Sequence, residues 1–123
     1  MSYEGLIYEI KDHHVAVITF NRPQVMNALS GQTHQELKEA IAEANADPEV
    51  RVIVLTGNGR GFCSGDDVNA IFLASTAAGT TEERTNRGRA QQLNYLEGGK
   101  VEGGGSALLH INKPTIAAVN GAA

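Results

Sequence analysis

Residues 52–67 read VIVLTGNGRGFCSGDD, an apolar run that leads into a glycine-rich loop and an acidic pair. The apolar, mostly β-branched run at 52–55 is typical of a parallel strand covered on both faces. A loop with four glycines in nine residues follows, at 57–65, and is called the glycine loop below. Glycine permits positive φ angles and close approach of a ligand to the backbone. Asp66-Asp67-Val68 then predicts a helix start, so unpaired N–H groups could hold an anionic oxygen here.

The glycine loop does not fit two common phosphate-binding motifs. Gly57 and Gly59 match the first two positions of G-x-G-x-x-G, but Phe62 occupies the third. The G-x-x-x-x-G-K-[ST] motif fails as well, because no lysine follows Gly61 or Gly65. A dinucleotide-binding module is therefore disfavoured, although a plain structural turn stays open on composition alone.

Outward from this stretch, alternating apolar runs and helical patterns predict an α/β layer architecture with parallel strand pairing. A turn between the first two runs predicts a hairpin, and Ser30 can cap a helix that Asp47-Pro48 ends. Leu37, Ile41 and Ala44 would form the buried face of that helix. The predicted strands are 6–10, 15–20, 52–55 and a buried strand at 115–119, and further helices are predicted at 68–72 and 82–96.

The composition sets further bounds on the chain. Its 123 residues suit one domain, with 41% hydrophobic residues and 20% charged ones. A net charge of −4 argues against nucleic acid as a partner. Cys63 is the single cysteine, so no internal disulfide can form and a reducing compartment fits. No apolar run is long enough for a membrane span, and the N-terminus does not resemble a signal peptide.

Four motifs in order resemble the enoyl-CoA hydratase/isomerase (crotonase) family. They are Asn21-Arg22-Pro23 with Asn27-Ala28-Leu29, the strand 52–57, the stretch 61–68 and the segment 113–121. The resemblance covers essentially the whole chain, most weakly between 74 and 110. It implies a ββα spiral, with residues 1–123 as the N-terminal part of a single crotonase-like domain that stops after the strand ending near Asn120.

The resemblance also implies a substrate and a site. Family members bind acyl-CoA thioesters, with coenzyme A as part of the substrate and no separate cofactor. Two backbone N–H groups form an oxyanion hole, and the first of them corresponds to Asp66, whose side chain is incidental to that role. The positions implied to contact the substrate are Val25, Met26, Ala28, Ser64, Gly65, Asp66, Asp67, Val68 and Asn69.

The chain departs from the family pattern at its end. The second oxyanion donor and the acid/base glutamates of hydratases correspond to positions beyond Ala123, so we expect this chain alone to be inactive. An enoyl-CoA hydratase or isomerase is the expected parent activity, in a cytoplasmic homotrimer or hexamer. A hydrolase, dehalogenase or ring-forming enzyme of the same family and a non-catalytic acyl-CoA-binding fragment are the alternatives.

Other polar residues are interpreted as structural. Cys63 is more typical of a buried residue than of a nucleophile, since no histidine is near it in sequence. Asp67 fits an N-cap or an acid in the first turn of a helix, where the helix dipole favours negative charge. His13 and His14 are expected in a solvated turn, and His34 on the polar side of the first helix. No spacing of histidines or acids predicts a metal site.

Overall fold

The computed structural model describes residues 2–68 and 108–123. Their core is a four-stranded sheet in the order β1-β2-β3-β4. The first pair is antiparallel and the other two pairs are parallel. In chain order the elements are β1 (Leu6–Lys11), β2 (Val15–Phe20), a 3-10 helix (Pro23–Val25), α1 (Gly31–Ala46), β3 (Val52–Gly57), a 3-10 helix (Leu108–His110) and β4 (Thr115–Ala118).

The predicted hairpin is confirmed. β1 and β2 pair in register from Leu6 opposite Phe20 to Lys11 opposite Val15. Asp12 and His13 link them with φ angles of 51° and 67°, the left-handed pair that a tight hairpin turn requires. His14 is half-buried, and its ring Nδ1 lies 2.8 Å from the Glu49 carbonyl oxygen.

The helix α1 begins and ends where the sequence predicts. The Ser30 side chain caps it by accepting a hydrogen bond from the Thr33 N–H at 3.2 Å. Leu37, Ile41 and Ala44 lie on its buried face, as predicted. This face packs on the sheet around Ile18 and Ile53, both fully buried. The crossover through α1 makes β2 and β3 parallel, which confirms the α/β architecture.

Two predictions about burial are wrong. In β3, Ile53 and Leu55 are buried but Val52 and Val54 are only half-buried, so one face alone is fully covered. The last strand was expected to be buried, whereas every residue of β4 is exposed and Ile116 keeps 56% of its surface accessible. The sequence pattern indicates apolar character, whereas burial depends on what packs on each face of a strand. Among the strands of the described residues, β4 pairs with β3 alone.

Several predictions fall outside the described residues. These are the helix at 82–96, most of the helix at 68–72, and the substrate position Asn69. The helix predicted at 68–72 begins at Val68, the last residue described before the gap. Within 2–68 and 108–123, no helix is long and apolar enough to cross a membrane.

Lys113 connects β4 to the end of α1. Its Nζ donates to the Ala44 carbonyl oxygen at 2.8 Å and to that of Asp47. Both carbonyls lie at the C-terminal end of α1, where the dipole favours a cation; the Ala44 carbonyl is one that helix hydrogen bonding leaves unpaired, and the Asp47 carbonyl also accepts from the Val50 N–H at 3.1 Å. We expect Lys113→Met to lower the free energy of unfolding by about 1–2 kcal/mol in urea titrations. Lys38→Met, on the exposed face of α1, is the control and should change it little; an equal loss in both variants would contradict this role.

Candidate functional site: the loops after β2 and β3

The candidate site lies where the parallel strands β2 and β3 end. Loops that leave the carboxyl ends of neighbouring parallel strands meet at one edge of the sheet, where α/β proteins form ligand sites. Here the loop after β2 carries residues 21–29 and the glycine loop follows β3. The Asn58 N–H donates to the Phe20 carbonyl at 2.8 Å, so the two loops are joined at their first residues.

The two segments predicted to bind substrate lie side by side. The Ser64 N–H donates to the Met26 carbonyl at 3.1 Å, and the Leu29 N–H donates to the Gly65 carbonyl at 2.8 Å. Met26 has a left-handed φ of 52° and Gly65 a φ of 101°. The structure therefore brings together 25–28 and 64–67, which are distant in sequence.

The backbone at Asp66 has a defined orientation. Leu29 and Asp66 form an isolated parallel β-bridge, in which Leu29 bonds to the Gly65 carbonyl and to the Asp67 N–H, both at 2.8 Å. The Gly65 carbonyl and the Asp66 N–H belong to one trans peptide group, in which the C=O and the N–H point in opposite directions. The Asp66 N–H therefore points away from Leu29, and within the part of the chain described no backbone carbonyl accepts from it.

Asn27 holds the loop after β2 against the glycine loop. It is 1% exposed and adopts a left-handed φ of 57°. Its Oδ1 accepts from the Arg22 N–H at 2.8 Å. Its Nδ2 donates to the carbonyl oxygens of Asn58 at 3.0 Å and Gly61 at 2.9 Å. One buried amide thus pairs three backbone groups from two loops.

Asn120 holds the glycine loop from the other side. Its Oδ1 accepts from the Gly57 N–H at 3.0 Å, and its Nδ2 donates to the carbonyls of Gly59 at 3.1 Å and Gly61 at 3.2 Å. The next residue, Gly121, passes so close to Arg60 that a Cβ there would lie 1.9 Å from the Arg60 carbonyl oxygen. The glycine loop is therefore fixed between the segments after β2 and β4.

An ion pair joins the loop after β2 to the residues that follow the glycine loop. Arg22 Nη2 lies 3.1 Å from Asp67 Oδ2, and the Arg22 Nη1 donates to the Ala28 carbonyl. The two side chains are 23% and 15% exposed, so solvent screens the pair less than at an open surface. Asp67 directly precedes the helix start at Val68, as predicted, but its contact with Arg22 was not predicted.

His34 makes a contact that sequence reasoning missed. It lies in the N-terminal part of α1, and its Nε2 is 2.7 Å from Asp66 Oδ1. The pair is separated by thirty-two positions, and periodicity places His34 only on the polar side of the helix. A long-range contact of this kind leaves no local pattern.

The remaining predicted residues differ in accessibility. Val25 is 39% exposed and Val68 75%, whereas Ala28 is buried. Cys63 is half-buried and packs against the core beside Phe62, whose ring meets Phe20 edge-on with centroids 5.6 Å apart. This packing agrees with a structural role for Cys63. Among the residues described, no three His, Cys, Asp or Glu side chains are placed to share a metal ion.

The family follows from comparison with known proteins. A family model described as enoyl-CoA hydratase/isomerase matches residues 10–123, so the chain belongs to that family. The fold agrees. Over 96% of this chain, an enoyl-CoA hydratase structure from Mycobacterium marinum superposes with a TM-score of 0.73 at 32% identity, and the match covers 49% of that chain. The crotonase fold predicted from the motifs is confirmed.

Curated relatives match along almost the full chain. A protein named crotonyl-CoA hydratase from Syntrophomonas wolfei is 36% identical over 122 residues, which are 98% of this chain and 41% of the relative. One named probable enoyl-CoA hydratase EchA14 from Mycobacterium tuberculosis is 38% identical over 121 residues, with the same two coverages. The chain therefore spans about two fifths of the length of these relatives.

Proposed function

We propose that this chain binds an acyl-CoA thioester at the edge of the sheet where β2 and β3 end. The Asp66 N–H would donate a hydrogen bond to the thioester oxygen. The observation that carries the proposal is the orientation of this N–H. The Gly65 carbonyl and the Asp67 N–H on either side of it are bonded to Leu29, while the Asp66 N–H points the other way from an exposed residue.

The chemistry suited to such a donor is stabilisation of an enolate. When a proton leaves the carbon next to a thioester, or a nucleophile adds to the β-carbon of an enoyl thioester, negative charge develops on the carbonyl oxygen. A donor fixed in advance stabilises that charge without reorganising, which typically lowers the barrier by about 2.7–4 kcal/mol. The side-chain hydrogen bonds of Asn27 and Asn120 to the Gly61 carbonyl hold the glycine loop, which leads to this donor.

We propose hydration or double-bond isomerisation of an enoyl-CoA as the activity of the protein, by similarity to the named relatives. In this proposal residues 1–123 form the N-terminal part of a single domain, in a homotrimer or hexamer of the cytoplasm, with coenzyme A as part of the substrate. The exposed Val25, beside Met26 and Ser64, fits a wall for the CoA side of the ligand. We assign no proton-transfer residue within the chain.

Calorimetric titration with three ligands tests the proposed binding. Butyryl-CoA carries the thioester carbonyl, and S-butyl-CoA is the same molecule without that oxygen. One neutral hydrogen bond of about 1 kcal/mol predicts roughly fivefold tighter binding of butyryl-CoA. Equal affinity for both would contradict the carbonyl contact, and tighter binding of NAD would favour a dinucleotide module. Loss of enoyl absorbance from crotonyl-CoA separates an enzyme from a protein that only binds.

Replacement of Asp66 by proline removes the N–H and is expected to abolish the preference for butyryl-CoA, so that the affinity ratio falls from about five to about one. Asp66→Ala keeps the N–H and should keep the preference. Because the proline ring can also disturb the loop, an amide-to-ester replacement at position 66 by semisynthesis is the second variant. A preference that survives both changes would show that another group holds the oxygen.

A further inference from the structure

The His34–Asp66 contact couples α1 to the residue whose N–H faces the proposed thioester oxygen. The imidazole Nε2 lies 2.7 Å from Asp66 Oδ1, and the two side chains are 27% and 60% exposed. An ionised carboxylate can only accept, so Nε2 carries the hydrogen in this contact whether the ring is neutral or protonated. A hydrogen bond to a charged group of this length is among the stronger ones.

The Asp66 carboxylate would repel the thioester oxygen at this position. It belongs to the same residue as the N–H donor, so its negative charge lies only a few bonds from the place where a thioester oxygen would become negative. Like charges at such separations repel, and the repulsion grows where a bound ligand displaces water. A free carboxylate could also rotate toward its own N–H or toward the ligand. The His34 contact removes that freedom.

The surroundings of His34 favour a fixed carboxylate. The backbone N–H of His34 donates to the Ser30 carbonyl at 3.0 Å, so the residue lies at the first turn of α1. The N-terminal end of a helix stabilises negative charge. Ser30 directly follows Leu29, whose two bonds orient the peptide groups on either side of Asp66. Backbone and side chain of Asp66 are therefore tied to the same end of α1.

We propose that His34 is a positioning residue for the oxyanion donor: it holds the Asp66 carboxylate against α1, so that the Asp66 N–H meets the thioester oxygen without competition from that charge. This inference rests on the proposed function, because it concerns how the same N–H binds the same oxygen. It adds a role to the Asp66 side chain, which the family resemblance treats as incidental.

The test measures the affinity ratio of butyryl-CoA to S-butyl-CoA in four variants and in Asp66→Ala alone. His34→Leu removes the donor and should reduce the ratio two- to threefold, whereas His34→Gln keeps an N–H donor near the Nε2 position and should retain the wild-type ratio. Gln35→Leu is the matched control, since Gln35 is exposed and contacts Glu39 on the same helix. Should His34→Leu fail to fold, His34→Asn serves instead, because its shorter amide does not reach Asp66.

The fourth variant combines His34→Leu with Asp66→Ala. Without the carboxylate there is no charge to hold, so His34→Leu should change the ratio in the wild-type background and not in the Asp66→Ala background. A ratio that His34→Leu leaves unchanged would overturn the inference. An equal loss in both backgrounds would also overturn it, because it would show a general disturbance of α1. A wild-type ratio of one would instead refute the proposed function, and the role of His34 with it.

Discussion

Replacement of Asn27 by leucine is expected to lower the free energy of unfolding by about 3–5 kcal/mol. The side chain is 1% exposed, and its amide pairs the Arg22 N–H and the carbonyls of Asn58 and Gly61. Leucine removes the partner of the Arg22 N–H and of the Asn58 carbonyl and leaves the Gly61 carbonyl with Asn120 as its remaining side-chain donor, and a buried group left unpaired costs about 1–3 kcal/mol. Leucine also tolerates the φ of 57° less well than asparagine does.

The measurement is urea unfolding followed by circular dichroism. Asn58→Leu is the matched control, because Asn58 is exposed and its side chain donates to Asn21 Oδ1 at 2.9 Å. We expect a change below about 1 kcal/mol there. A loss of similar size in both variants would mean that Asn27 does not clamp the two loops.

Replacement of Gly57 by alanine is the second large effect that we expect, at about 2–4 kcal/mol of unfolding free energy. An added Cβ would lie 2.5 Å from the carbonyl oxygens of both Gly61 and Phe62, and 2.8 Å from the Phe62 Cα. All three are backbone atoms of the glycine loop, so no side-chain rotation relieves the clash. The end of β3 and the loop must move apart, which also strains the Gly57 N–H bond to Asn120.

Gly31→Ala provides the control for this substitution. Gly31 is the first residue of α1, and nothing lies within 4 Å of an added Cβ. Alanine at that position should leave stability unchanged or raise it by up to about 1 kcal/mol, because glycine is the poorer helix former. Thermal unfolding of the two variants compares the effects directly. A Gly57→Ala protein as stable as Gly31→Ala would contradict the close approach of the loop to β3.

The sequence predicts the fold well where local patterns and pairing coincide. The hairpin, the Ser30 cap, the end of α1 at Asp47-Pro48 and the parallel pairing of β2 with β3 all follow from periodicity and turn chemistry. The exposure of β4 does not, because an apolar run looks the same whether or not other segments pack on the faces of the strand.

The site is predicted only in part, and the reason is sequence distance. The motifs indicate that 25–28 and 64–68 belong to one site, and the structure places the two segments in contact. The clamps that fix them join residues more than thirty positions apart, as with Asn27 and Gly61. The asparagines do stand within the motifs, at Asn27 and Asn120, so the signal was present. Their partners could not be deduced without coordinates.

The role of His34 shows the same limit more strongly. Helix periodicity places the residue on the polar side of α1, and nothing near it in sequence indicates Asp66 as its partner. The contact arises because the bridge between Leu29 and Asp66 brings the residue after the glycine loop to the start of α1. Tertiary structure alone creates the pair.

The most direct test of the central claim is the amide resonance of Asp66 in a ¹H–¹⁵N correlation spectrum. Butyryl-CoA and S-butyl-CoA are added in turn to the labelled 123-residue chain. A hydrogen bond to the thioester oxygen predicts that the Asp66 amide proton moves downfield with butyryl-CoA and not with S-butyl-CoA, while the amides of Val25, Met26 and Ser64 respond to both. An Asp66 resonance that stays in place with both ligands, or moves equally with both, would contradict the proposed oxyanion donor.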